Sequence, residues 1–193
     1  TKTKTGRTIF VRLCSKCKKE FDILGTMEDM KRGELISDRF EVGRAFCTKL
    51  WNSARFALMN LDVDDSAAAP VTNDELELED RWLLDGLNST IRTVTNALGN
   101  YEPSDAIGTA RDWFWGSLCD WYLELIKPRL AEPNSRSAQI ARRVLAYALD
   151  QVLRMLHPFV PFVTEYLWSR MQDIVPDRNL GTIASLEASD QLI

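Results

Sequence analysis

From Ser37 onward the apolar residues recur almost without interruption at three- and four-residue spacing, which specifies helices rather than strands. Each stripe is punctuated by residues that start or stop helices. Ser37 or Asp38 can cap a first helix running to about Asn60, with Cys47, Leu50, Ala54, Ala57, Leu58 and Leu61 on one face. The segment from Asp62 to Asn73 carries Asp-Asp-Ser-Ala-Ala-Ala-Pro and is a loop. A second helix is expected from Glu79 or Asp80 to Gly99-Asn100, with Leu83, Leu87, Ile91, Val94 and Leu98 aligned. Pro103-Ser104 opens a third, whose Ile107, Ala110, Phe114, Leu118, Trp121 and Leu125 keep the spacing until Pro128 stops it. Asn134 or Ser135 caps a fourth, with Ile140, Val144, Ala148, Val152 and Leu156 inward, broken by His157-Pro-Phe-Val-Pro161. A short fifth helix restarts at Phe162 and runs to about Gln172. The pattern predicts an all-α fold: an antiparallel bundle of four long helices plus a short fifth over residues 37–172. Residues 1–36 are expected to be an irregular, basic segment left from a preceding domain or insertion, and 173–193 an extended tail. Most of the six tryptophans are expected in the core or as wedges between helices.

Composition narrows the function classes. Hydrophobic residues make up 45% and charged residues 27% of the 193, the balance of an ordinary globular domain. No apolar run reaches the length of a membrane span and no signal-peptide pattern opens the chain. Of four cysteines only Cys14 and Cys17 are close in sequence, so a disulfide framework is not expected and a reducing cytoplasm fits. The absence of a starting methionine suggests a piece of something larger. A net charge of −4 argues against general coating of nucleic acid. The total hides an asymmetry: residues 1–60 hold 13 Lys+Arg against 7 Asp+Glu, and residues 61–193 hold 11 against 21. A partner bearing phosphates should therefore meet the first third.

The first helix has a second face. Lys49, Asn52 and Phe56 fall together at i, i+3 and i+7. An aromatic grouped with a lysine and an amide is what a base-stacking surface needs. The plainer alternative is that Phe56 packs under a neighbouring helix while Lys49 is solvated.

Three longer segments go beyond periodicity: Gly43-Arg-Ala-Phe-Cys-Thr-Lys-Leu-Trp-Asn-Ser-Ala-Arg-Phe56, Asp112-Trp-Phe-Trp-Gly-Ser-Leu-Cys-Asp-Trp-Tyr-Leu-Glu-Leu-Ile-Lys-Pro-Arg129, and Leu153-Arg-Met-Leu-His-Pro-Phe-Val-Pro-Phe-Val-Thr-Glu-Tyr-Leu-Trp168. With Asp80-Arg-Trp82, they resemble the anticodon-binding domain of valyl-tRNA synthetases, over roughly Phe40 to Trp168. Isoleucyl- and leucyl-type enzymes share the architecture more loosely. The resemblance implies a class I ligase that uses ATP to attach valine to tRNA, with this piece binding the anticodon stem-loop of tRNA(Val) beside a catalytic domain. The His-Ile-Gly-His-like turn and the Lys-Met-Ser-Lys-Ser-like loop of that catalytic domain are absent here, as is any Gly-x-x-x-x-Gly-Lys phosphate loop. The chain should not aminoacylate alone, and a monomer is expected. By resemblance, Lys49 and Phe56 contact anticodon bases. Phe56 would stack on a splayed base, Lys49 would donate to a base edge or a phosphate, and Asn52 would read an edge. Arg44 and Arg55 would pair with backbone phosphates or with carboxylates at the core rim.

Other motifs carry less chemistry. Cys14-x-x-Cys17 looks like half of a zinc ribbon, but a structural zinc takes four ligands and no second pair follows, so zinc is not expected in this piece. His157 before Pro158 reads as a hydrogen-bonded helix end. Asp120 and Glu124, one turn apart, serve the helix surface or an Arg partner rather than acid–base catalysis, and Asp112 adds no catalytic pair. Two functions of different class remain: an RNA-recognition module, with Lys49, Asn52 and Phe56 open to solvent, or a structural, protein-interaction bundle, with Phe56 covered.

Overall fold

The computed structural model describes residues 11–13, 20–22, 38–61 and 71–174. The chain divides into two units, Thr1–Phe46 and Cys47–Ile193. In the first, β1 (Val11–Leu13) and β2 (Glu20–Asp22) form an antiparallel ladder with Val11 opposite Asp22 and Leu13 opposite Glu20. The segment expected to be irregular therefore contains regular pairing, too short for an alternation of apolar and polar residues to announce it. Cys14 and Cys17 lie outside the described residues, as does the expected tail beyond Ile174.

Helix α1 (Asp38–Asn60) leads into the second unit. There follow α2 (Leu78–Gly99), α3 (Pro103–Asp112), a π-helical segment (Trp113–Tyr122), the single turns α4 (Leu123–Leu125) and α5 (Lys127–Leu130), then α6 (Arg136–Leu156) and α7 (Pro161–Ile174). Helix α6 is the centre. Its expected stripe Ile140, Val144, Ala148, Val152 and Leu156 is buried, and so are Ala141, Leu145, Leu149 and Leu153 on the adjoining faces. It touches α2, α3, α5 and α7. Each fully buried Val or Leu contributes about 1.5–3 kcal/mol, so this helix supplies much of the core's cohesion. Ser135 caps it, its Oγ accepting from the Ala138 N–H at 3.1 Å.

The second helix ends at Gly99-Asn100 as expected, Gly99 its last helical residue and Asn100 its cap, and the left-handed position beyond it falls on the exposed Tyr101, with φ of 61°. A non-glycine residue there costs about 1–2 kcal/mol. The Tyr101 N–H to Leu98 and Glu102 N–H to Ala97 bonds, at 3.1 and 2.8 Å, satisfy the helix end in return.

The third helix departs most from the pattern. Ala110, Phe114 and Leu118 are buried as expected, but Trp121 is 64% and Leu125 46% exposed. The cause is the winding of residues 113–122, where the Leu123 N–H reaches back five residues to Leu118 O. A wider turn advances the buried face by about one residue, so Cys119, Tyr122, Leu123 and Ile126 point inward instead. The helix stops before Pro128 as expected, breaking at Ile126, and Pro128 then sits in the first turn of α5.

The tryptophans lie less in the core than between helices: Trp51 stacks on Tyr166 of α7, and Trp168 donates to Asp150 of α6. Trp113 is buried, Trp168 is half-buried, and Trp51, Trp82, Trp115 and Trp121 are each more than a third exposed. Only Trp113 is a core residue. Gly86 of α2 makes room for it, since a Cβ at that position would lie 3.0 Å from the indole Nε1.

Candidate nucleic-acid interface

The residues of α1 from Cys47 to Asn60 divide into three arcs. Leu50, Ser53, Ala54 and Ala57 are buried. Thr48, Asn52, Arg55 and Met59 form an exposed ridge. Lys49 and Phe56 lie between, half-buried, along the edge of that ridge. Phe56 is therefore neither a core residue nor a fully exposed one.

The π-helical segment lines this edge. Lys49 Nζ donates to Asp120 Oδ1 at 3.2 Å and lies 5.2 Å from the centroid of the Trp115 ring. One turn along α1, Ser53 Oγ and Cys119 Sγ are 3.1 Å apart in the buried seam. Burial pushes the Cys119 thiol up to about 11, against the lowering effect of the Ser53 hydrogen bond, so it is a protonated packing residue at neutral pH. The opposite edge of α1 meets α7 through Trp51 and Tyr166, whose rings stack at 5.3 Å, and the Arg170 guanidinium lies 5.4 Å from the Tyr166 ring.

The remaining sequence-derived candidates are distributed as follows. Asn52 and Arg55 are exposed on the ridge, and no hydrogen bond or ion pair engages either among the described residues. Arg44 ion-pairs with Glu41 on its own helix at 2.7 Å. The structure thus brings together Lys49, Asn52, Arg55 and Phe56. Sequence reasoning missed Asp120 and Trp115 as partners of Lys49. They lie 71 and 66 residues away, and only the fold makes them neighbours. Glu124 pairs with Lys127 and Asp112 with Arg111, so neither belongs to an acid–base set.

His157 closes α6, its Nδ1 3.0 Å from Thr164 Oγ1. The Thr164 hydroxyl lies 3.0 Å from Val160 O and 3.1 Å from Pro161 O and donates there, so the imidazole Nδ1 is the donor in the first bond. A cavity of about 300 Å3 opens beside it, lined by Leu153, Arg154, His157, Thr164, Glu165 and Trp168. It contains no hydroxyl or thiol activated by a base. Among the described residues no cluster of His, Cys, Asp or Glu could hold a metal ion, and no helix is long and apolar enough to cross a membrane.

Behind the interface a buried ion pair fixes α2 against the π-helical segment and α5. Asp80 is fully buried and accepts from the Tyr122 hydroxyl at 2.7 Å, from both Arg129 Nη atoms at 2.9 Å and from the Glu77 N–H at 3.1 Å. Burial, then the Asp80 charge, raises the Tyr122 phenol well above its ordinary value. Burial works against the Arg129 charge, but its bonds to Asp80 more than offset this and raise its pKa. The Asp-Arg-Trp motif at the start of α2 is thus a structural anchor through its aspartate.

Residues 80–189 match the family described as the anticodon-binding domain of tRNA ligase. The chain belongs to that family. It is 38% identical over 182 residues to the valine–tRNA ligase of Rhodopirellula baltica, an alignment taking in 92% of this chain and 17% of the relative. It is 41% identical over 135 residues to the enzyme of Symbiobacterium thermophilum and 43% over 132 to that of Thermotoga maritima, covering 70% and 68% of this chain. The chain spans only 15% and 14% of those two relatives. The family match begins after α1, but an alignment with 92% of the chain takes in α1 whichever end is left out.

Proposed function

We propose that this chain is the anticodon-binding part of a valine–tRNA ligase, a helical bundle that holds the anticodon loop of tRNA(Val) while ATP-dependent aminoacylation proceeds in a catalytic part outside it. The observation that carries this reading is the half-seated Phe56 beside Lys49, with Asn52 and Arg55 exposed on the same ridge. An aromatic residue partly buried on a helix is partly ordered before a base stacks on it, which lowers the entropic cost of binding. Lys49 and Asn52 offer the donors and acceptor that read a base edge. Arg55, without a carboxylate partner among the described residues, suits a backbone phosphate.

The test is binding of this chain to a hairpin carrying the anticodon stem-loop of valine tRNA, followed by fluorescence anisotropy at low salt. Phe56→Ala is expected to weaken binding by roughly 1–3 kcal/mol, the worth of one base–aromatic stack. Lys49→Ala should weaken it too, and replacing the anticodon triplet should remove the effect of both substitutions. Binding indifferent to Phe56 and to the triplet would leave a bundle that supports its neighbours without reading RNA.

A further inference from the structure

The ion pair at the edge of α1 bears on how that edge chooses its ligand. Of the two cations beside Phe56, Lys49 has its charge answered: Asp120 Oδ1 accepts from it at 3.2 Å and the Trp115 ring lies against it at 5.2 Å. Arg55, on the same helix, has no such partner among the described residues. Resting on the anticodon-binding reading above, we infer that Asp120 is a specificity-determining positioning residue, which makes Lys49 a reader of neutral base-edge acceptors and turns phosphate away from it.

An ammonium group has three donors held at tetrahedral angles to one another, so engaging one limits where the other two can point. One is spent on Asp120, and the Trp115 ring shields another side. The remaining donor can meet a base carbonyl or ring nitrogen, which carries no net charge and is not repelled by the neighbouring carboxylate. A phosphate at the same place would bring its charge close to Asp120, and that repulsion would cancel most of its attraction to Lys49. The pair is exposed enough for RNA to reach it, with side-chain exposures of 33% and 50% for Lys49 and Asp120. The π-helical winding that turns Cys119 inward and Trp121 outward leaves Asp120 on the surface between them, beside α1.

The experiment compares the wild-type chain with Asp120→Asn and Asp120→Glu on two hairpins, one with the valine anticodon and one with the triplet replaced, across a series of salt concentrations. Phe56→Ala is carried alongside to report on base stacking. Asp120→Asn leaves Lys49 a free cation. It is expected to tighten the triplet-replaced hairpin by roughly two- to fivefold, the scale of an exposed ion pair, while the valine hairpin gains less and selectivity falls. The slope of log K against log[salt] for the replaced hairpin should steepen by about 0.7, as one more phosphate is neutralised. Asp120→Glu keeps the charge and should retain wild-type selectivity and slope. If wild type discriminates and responds to Phe56→Ala, yet Asp120→Asn changes neither selectivity nor slope, the role given to Asp120 is wrong while the anticodon reading stands. A wild type that does not discriminate between the hairpins overturns both.

Discussion

Asp80 performs three jobs with one carboxylate: it caps α2, pairs with Arg129 and receives the Tyr122 hydroxyl. Removing it would leave a guanidinium that is 8% exposed with its main partner gone. Asp80→Ala should therefore cost about 3–5 kcal/mol in urea unfolding, whereas Tyr122→Phe, which deletes one bond to a charged acceptor, should cost about 1.5–3 kcal/mol. Equal and small losses would show that the pair is not the anchor described. Glu75 gives a second test at this scale. Hydrogen bonds from Arg136, and then the Thr72 N–H, hold its carboxyl at about 2 against an ordinary value of 4.5. Because the folded value is the lower, its contribution is complete above the ordinary value and is lost as pH falls from about 4.5 to 2. Wild type should lose stability more steeply than Glu75→Gln across that window, and added salt should shrink the difference. Parallel curves would contradict it.

The elements show what a sequence discloses and what it withholds. Helix α6 was legible because a stripe of Ile, Val, Ala and Leu at regular spacing has one sensible burial, and Ser135 marks its start. The helix that lines the site was legible only as far as Leu118. Nothing in Trp113–Tyr122 signals a wider turn, since the one glycine there, Gly116, has open space where a Cβ would stand. The change of phase exposed Trp121 and Leu125, residues whose size argued for the core. For the candidate site, the face holding Lys49, Asn52 and Phe56 follows from helical register alone. Asp120 and Trp115 beside Lys49 do not, because their proximity depends on how two separate helices meet. The close contact between α2 and Trp113 makes an element-scale prediction. Gly86→Ala puts a methyl 3.0 Å from the indole Nε1, and this overpacking should lower stability by about 1–3 kcal/mol. A variant as stable as wild type would mean that Trp113 has room to shift.

At the scale of the whole chain, basic residues concentrate before residue 60 and acidic ones after it, and two of the basic ones, Lys49 and Arg55, stand on α1 beside the half-buried Phe56. The π-helical segment pairs with Lys49, while Arg55 has no carboxylate partner among the described residues. Under the function proposed above, such an edge would combine base reading with backbone attraction, the combination by which single-stranded loops are recognised. The central claim is one of place, and photocrosslinking tests it most directly. A valine anticodon stem-loop with 4-thiouridine in its loop is irradiated with the full chain and the crosslinked peptides are mapped by mass spectrometry. The account predicts adducts within Lys49–Phe56 that disappear when unlabelled stem-loop competes. Adducts confined to the α6–α7 cavity around His157 and Trp168, with none on α1, would contradict it.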